Sequence, residues 1–198
     1  MEKEKHIIKT GLYFGSFNPV HIGHLAIANF MIEFSDLEQL WFVVSPQNPL
    51  KEKKSLLKDH HRLEMVRLAL EGDDRFRVSD IEFKLPTPSY TMDTLTYLGE
   101  KNPLHEFHLV MGADQLRTFH KWKHADLITR NYHRLIYPRP GVDPETLKAI
   151  PNSTVVNAPL MEISSSFIRQ AIKAGKDIRH MVPSPAYSYL REMHFYEQ

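Results

Sequence analysis

The stretch Phe14-Gly15-Ser16-Phe17-Asn18-Pro19-Val20-His21-Ile22-Gly23-His24-Leu25 joins two different hydrophobic patterns. Upstream, Ile7-Ile8-Lys9-Thr10-Gly11-Leu12-Tyr13-Phe14 is a short apolar run that suits a buried strand. Downstream, Leu25, Ala28 and Ile32 recur at spacings of three and four, one face of a helix. A strand that enters a helix through a glycine-containing turn outlines an anion site. The free N–H groups of the first helical turn point at whatever lies beyond the strand end. Gly15 is expected to let the backbone approach a phosphate closely. His21 and His24, three residues apart, would face the same way on one helical turn. Two imidazoles and a helix N-terminus aimed at one spot predict polyphosphate binding.

The alternation of strand and helix continues along the chain. Leu40-Trp41-Phe42-Val43-Val44 is a continuous apolar run, expected of a strand covered on both faces, and Ser45-Pro46-Gln47-Asn48-Pro49-Leu50 closes it. Residues 51–58 read as a basic loop. Asp59 is placed to cap a helix with Leu63, Val66 and Leu70 as its buried stripe. Phe76-Arg77-Val78-Ser79-Asp80-Ile81 alternates and predicts a strand near the sheet edge. Pro86-Thr87-Pro88 breaks the chain, and Thr91 would cap a helix through Leu98. Phe107-His108-Leu109-Val110-Met111, ended by Gly112, and residues 133–137, closed by Pro138-Arg139-Pro140-Gly141, are further strands. Val155-Val156 is a short last one, ended by Pro159. Ser164, Ser165 and Ser166 precede a helix that Gly175 ends, and Ser184 and Pro185 open a final helix reaching about Phe195. The pattern predicts an α/β fold, a Rossmann-like doubly wound parallel sheet, in one domain spanning 1–198 without repeats or linkers. Binding then belongs at the C-terminal ends of the strands.

At 198 residues and 42% hydrophobic, the chain is long enough for one sizeable packed core. A formal net charge of +1 gives no support to a general nucleic-acid surface, so phosphate affinity has to be local. The absence of cysteine excludes disulfides, thiolate catalysis and cysteine-based zinc sites. The opening Met1-Glu2-Lys3-Glu4-Lys5 has no signal-peptide apolar region, and no apolar run is long enough for a membrane span. The expectation is a cytoplasmic protein with no membrane or nucleic-acid partner. Whether it forms a homo-oligomer is left open.

Asn18-Pro19-Val20-His21-Ile22-Gly23-His24 resembles the HxGH signature of the nucleotidyltransferase superfamily. Ile163-Ser164-Ser165-Ser166-Phe167-Ile168-Arg169 is similar to the ISSTxxR element of the same enzymes. Pro88-Ser89-Tyr90-Thr91, Gly112-Ala113-Asp114-Gln115 and Phe119-His120-Lys121-Trp122 narrow the resemblance to the bacterial nicotinate-nucleotide adenylyltransferase family, over residues 11–189. The resemblance implies the nucleotidyltransferase type of fold and adenylyl transfer from Mg-ATP to nicotinate mononucleotide, giving deamido-NAD and pyrophosphate. The acceptor phosphate is already ionised near neutral pH, so neither a general base nor a protein nucleophile is needed. What remains is to hold two polyanions in line and stabilise the charge that grows between them.

The resemblance assigns His21, His24 and Arg169 to catalysis by phosphate binding and transition-state stabilisation. Gly15, Ser16, Phe17, Ser164, Ser165, Ser166 and Lys51 fall to the ATP phosphates, and Asp114 to ribose hydroxyls. The N–H groups of Tyr90 and Thr91 would receive the nicotinate carboxylate, and Trp122 would stack on the pyridine ring. Mg2+ is expected to be held mainly by the ATP phosphates, with no protein metal ligand, since HExxH is absent and no third ligand is suitably spaced. His60 and His61 read as ordinary surface or cap residues. Two positions depart from the family pattern: Phe14 stands where a glycine is frequent, and Asn18 where aspartate is common. Rival acceptors are nicotinamide mononucleotide and phosphopantetheine. A non-catalytic nucleotide-sensing module is a third reading, against which the intact His21, His24 and Arg169 speak.

Overall fold

A computed structural model of the chain describes residues 5–46, 56–143 and 150–197. Six strands, β1 (Ile8–Gly15), β2 (Gln39–Val44), β3 (Phe76–Ser79), β4 (His105–Gly112), β5 (Arg134–Tyr137) and β6 (Ser153–Val155), form one sheet in the order β3-β2-β1-β4-β5-β6. Every neighbouring pair is parallel. The helices are α1 (Ile22–Glu33), α2 (Asp59–Leu70), α3 (Thr91–Lys101), α4 (Leu116–Phe119), α5 (Ala125–Asn131), α6 (Ser165–Lys173) and α7 (Ser184–Glu192). This is the doubly wound parallel arrangement the sequence pattern predicts.

The apolar runs are continuous because both faces of the sheet are covered. Successive side chains point to opposite sides. Tyr13, Leu40, Phe42, Val44, Val110, Leu135 and Tyr137 go to one core, shared with α1, α2, α6 and α7. Leu12, Trp41, Val43, Leu109, Met111 and Ile136 go to the other, under α3, α4 and α5. From β1 the chain winds outward through β2 and β3, then returns to β4 on the other side of β1 and winds outward again. The strand order therefore reverses between β1 and β4. Their C-terminal ends, Gly15 and Gly112, flank the crevice where such sheets bind ligands.

Several local expectations shift. The buried stripe of α1 is Ile27, Ala28 and Met31, with Leu25 and Ile32 half-buried on its flanks. Asp59 is the first residue of α2, not its cap, and its carboxylate accepts from Arg62 Nη2 at 2.5 Å. Thr91 likewise opens α3 behind Tyr90, and Ser184 opens α7 behind Pro183. The cap of α6 is as expected: Ser164 Oγ accepts from the Phe167 N–H at 3.2 Å. Gly175, at φ +67°, ends that helix with its own N–H on the Ile172 carbonyl. His61 is not an ordinary surface residue. Its Nδ1 is 2.8 Å from the Tyr189 hydroxyl and its ring lies 4.7 Å from that of Phe195, so it sits in the α2–α7 seam.

Candidate functional site

A cavity of about 420 Å³ opens at the β1–β4 switch point. Its wall brings together Gly15, Ser16, Phe17, His21, His24, Asp114, Ser164, Ser165, Ser166 and Arg169, which are widely spread in the sequence.

His21 is the N-cap of α1, in extended conformation, and His24 is three residues inside the helix. Their rings stack at 3.7 Å between centroids and 29° between planes. The His21 N–H donates to His24 Nδ1 at 3.2 Å, which leaves the proton of a neutral His24 ring on Nε2. Gly23 leaves room for the His21 ring. A Cβ there would stand 3.1 Å from His21 Nδ1 and 3.2 Å from its Cε1. His21 is only 5% exposed, and its Nδ1 has no hydrogen-bond partner among the described residues. Burial first, and the nearby Arg139 guanidinium second, push its pKa down to about 4. His21 is therefore a neutral imidazole near pH 7.

The turn before it is packed from below. Phe17 is buried at φ +43°, its ring meeting those of His24 at 5.0 Å, Phe42 at 5.4 Å and Tyr13 at 5.8 Å. A Cβ on Gly15 would come within 2.8 Å of that ring. Glycine at 15 thus makes room for Phe17, and the Phe17 side chain belongs to the core that supports His24. Arg62, fully buried on α2, donates to the Ser16 carbonyl at 2.6 Å, the Ser45 carbonyl at 2.8 Å and the Leu57 carbonyl at 3.0 Å.

The serine–arginine motif fastens α6 to the same turn. Ser165 Oγ donates to the Pro19 carbonyl at 2.8 Å, and Arg169 Nη1 to the Asn18 carbonyl at 2.8 Å. Arg169 Nη2 reaches Ser166 Oγ at 3.3 Å. Ser164 and Ser165 hydroxyls thus have structural duties that the sequence reading gave to phosphates. The N–H groups of the first α6 turn and the rest of the Arg169 fork border the cavity.

On the β4 side, Asp114 follows Gly112 in a short 3-10 turn, 3.5 Å from Arg139 Nε. A Cβ on Gly112 would meet the movable Asp114 Oδ1 at 2.5 Å and the Tyr137 hydroxyl at 3.1 Å. Tyr13 and Tyr137 hydroxyls stand 3.3 Å apart beneath, and burial raises the pKa of both phenols, keeping them protonated. Arg139 and Arg62 are residues the sequence reading passed over. Arg139 follows a strand, where the topological rule places ligands, but its prolines and glycine suggested only a strand end. Arg62 sits amid apolar positions of a helix, where no motif marks it.

Tyr90, Thr91 and Trp122 do not line this cavity. Trp122 is half-buried and leans on Phe119 at 5.3 Å. Tyr90 caps α3 under the Lys123 ammonium, 4.8 Å from its ring, and Lys123 pairs with Asp93 at 2.9 Å. Lys123 thereby ties the Trp122 segment to the head of α3. Buried Glu82 braces that head from below, accepting from Thr94 at 3.0 Å and Ser89 at 3.3 Å. Lys51 lies outside the described residues.

A family model described as cytidylyltransferase-like matches residues 12–171. A Flavobacterium johnsoniae protein named probable nicotinate-nucleotide adenylyltransferase is 51% identical, covering 96% of this chain and 100% of its own. A Christiangramia forsetii protein of the same name is 50% identical over 96% of this chain and 98% of its own. Among solved structures, Plasmodium falciparum nicotinic acid mononucleotide adenylyltransferase complexed with NaAD superposes with a TM-score of 0.80 at 20% identity, covering 96% of this chain and 98% of that one. The last is a likeness of fold.

Proposed function

Because the chain belongs to the cytidylyltransferase-like family and, within it, to the nicotinate-nucleotide adenylyltransferases, we propose that it transfers the adenylyl group of ATP to nicotinate mononucleotide. The products are deamido-NAD and pyrophosphate. The observation that carries this reading is the stacked His21–His24 pair at the head of α1, sharing one cavity with Arg139 and Arg169.

An oxygen of the acceptor phosphate attacks the α-phosphorus of ATP, and the bond from that phosphorus to the β-bridging oxygen breaks. Pyrophosphate leaves with the electron pair, and no proton has to move. The residues named here bind and orient. His24, with its proton on Nε2, donates to a phosphate oxygen. His21 enters as a neutral ring, and a polyanion beside it raises its pKa, so that it gains charge where negative charge accumulates. Arg169 and Arg139 supply forked cations, and the heads of α1 and α6 supply N–H groups.

The donors along this wall are mostly imidazole, guanidinium and N–H, which suit phosphate oxygens. Among the described residues no three His, Cys, Asp or Glu are grouped for a metal ion. Mg2+ would come in with the ATP phosphates and help neutralise the charge on the departing pyrophosphate. Asp114 is assigned to ribose hydroxyls. The acceptor ring is assigned to the head of α3, with its carboxylate on the Tyr90 and Thr91 N–H groups and its pyridine face on Trp122. Both substrates are intracellular nucleotides, which argues for the cytoplasm, and no helix of the described residues is long and apolar enough to cross a membrane.

The test is pyrophosphate release from Mg-ATP with nicotinate and nicotinamide mononucleotides in parallel, on wild type and His24→Ala. The expected result is a strong preference for the acid and a loss of about 10²–10³-fold in kcat for His24→Ala, with folding retained. Preference for the amide would overturn the carboxylate assignment at Tyr90–Thr91. Undiminished turnover by His24→Ala would overturn the site.

A further inference from the structure

The main chain of the turn 16–19 is clamped at three carbonyls: Ser16 by Arg62, Asn18 by Arg169 and Pro19 by Ser165. The Asn18 side chain is buried as well, and its Oδ1 accepts twice. One donor is the Leu57 N–H at 3.2 Å. The other is the hydroxyl of Tyr196 at 2.6 Å, from 178 positions further along the chain. Tyr196 follows the end of α7.

The approach of Tyr196 is built by its neighbours. Phe195 is buried between the rings of His61 at 4.7 Å and Tyr189 at 5.8 Å, which anchors the segment in the α2–α7 seam. Tyr196 itself lies at φ +65°, a left-handed conformation that disfavours a bulky side chain. Burial raises the phenol well above its ordinary pKa, so it stays a neutral donor at any working pH. Packing alone would be served as well by phenylalanine. The hydroxyl is what reaches the turn.

We propose that Tyr196 is a positioning residue for adenylyl transfer: by donating to Asn18 Oδ1 it fixes the 16–19 turn, and through the Asn18 carbonyl the Arg169 guanidinium, against the ATP phosphates. This rests on the adenylyltransferase reading above. Asn18 is then the shared post on which Arg169 and Tyr196 are hung.

The experiment is Tyr196→Phe, alone and combined with Asn18→Ala, in steady-state pyrophosphate release, with hydrogen exchange of the 15–20 backbone amides on each protein. Tyr196→Phe removes one oxygen and should fold, which circular dichroism checks. The expected result is a kcat about tenfold lower, KM for nicotinate mononucleotide within about twofold, and exchange across the turn about tenfold faster. In the Asn18→Ala background the same change should add little, because the acceptor is already gone. Unchanged kcat in Tyr196→Phe overturns the proposal. So does an equal further loss in the Asn18→Ala background, which would mean that the hydroxyl acts elsewhere. If wild type releases no pyrophosphate, the functional reading fails, and exchange alone decides whether Tyr196 holds the turn.

Discussion

Replacing Gly23 by alanine should separate stability from catalysis in this protein. Gly23 lies in the first turn of α1, and its φ is not in the left-handed region, so alanine fits the backbone. Glycine to alanine inside a helix is worth up to about 1 kcal/mol in favour of the helix, less so near an end. Against that stands the new Cβ, 3.1 Å from His21 Nδ1 and 3.2 Å from Cε1, while Met161 Cβ at 3.6 Å is ordinary contact. The His21 ring has to yield by a few tenths of an ångström. It is buried, with His24 stacked at 3.7 Å, so the displacement passes to both imidazoles. A misplacement of about 1 Å can cost about 10²-fold in rate, so a shift of this size should cost roughly tenfold in kcat. Thermal unfolding should move by only a degree or two, because helix gain and contact strain largely cancel. The assay is pyrophosphate release beside a thermal melt on the same preparations. Wild-type turnover with an unchanged or higher melting temperature would refute the reasoning, since the stacked pair could then move without penalty.

Two further outcomes follow from buried charge. The folded His21 pKa of about 4 lies below its ordinary 6.5, so the unfolded chain binds more protons between those values, and stability should rise with pH across that window. The full effect is about 3 kcal/mol, read by denaturant unfolding at pH 4 and pH 7; it should shrink in His21→Asn, and an equal pH dependence in that variant would assign it to another group. Arg62→Lys keeps the charge but cannot reach the Ser16, Ser45 and Leu57 carbonyls together, and should cost about 2–4 kcal/mol of stability along with activity. Denaturation midpoints within error of wild type would show that a single ammonium replaces the fork.

The sequence by itself determined the sheet and the strand–turn–helix end of the candidate site. Apolar runs covered on both faces and helices between them leave a doubly wound parallel sheet as the natural solution, and its binding edge follows from topology. His21, Gly23 and His24 were legible because one strand–turn–helix unit places them together through local geometry alone. The serine–arginine stretch was legible as a helix start, but not as a clamp. Its Arg169 and Ser165 act on carbonyls 151 and 146 positions away, and no local pattern encodes a partner at that distance.

Only the tertiary structure decided the support of the turn. Arg62 breaks the apolar pattern of α2, because a buried guanidinium is stable only where several carbonyls converge on it, and that convergence exists only in the fold. Gly15 reads in the sequence as a site of close phosphate approach, and Gly23 only as the glycine between the two histidines. The fold assigns their missing side chains to the Phe17 and His21 rings instead. The low pKa of His21 and the meeting of Tyr196 with Asn18 are likewise products of burial and chain return. Sequence fixes which chemical groups are available. Their environment, which sets charge and direction, comes from residues that the fold brings beside them.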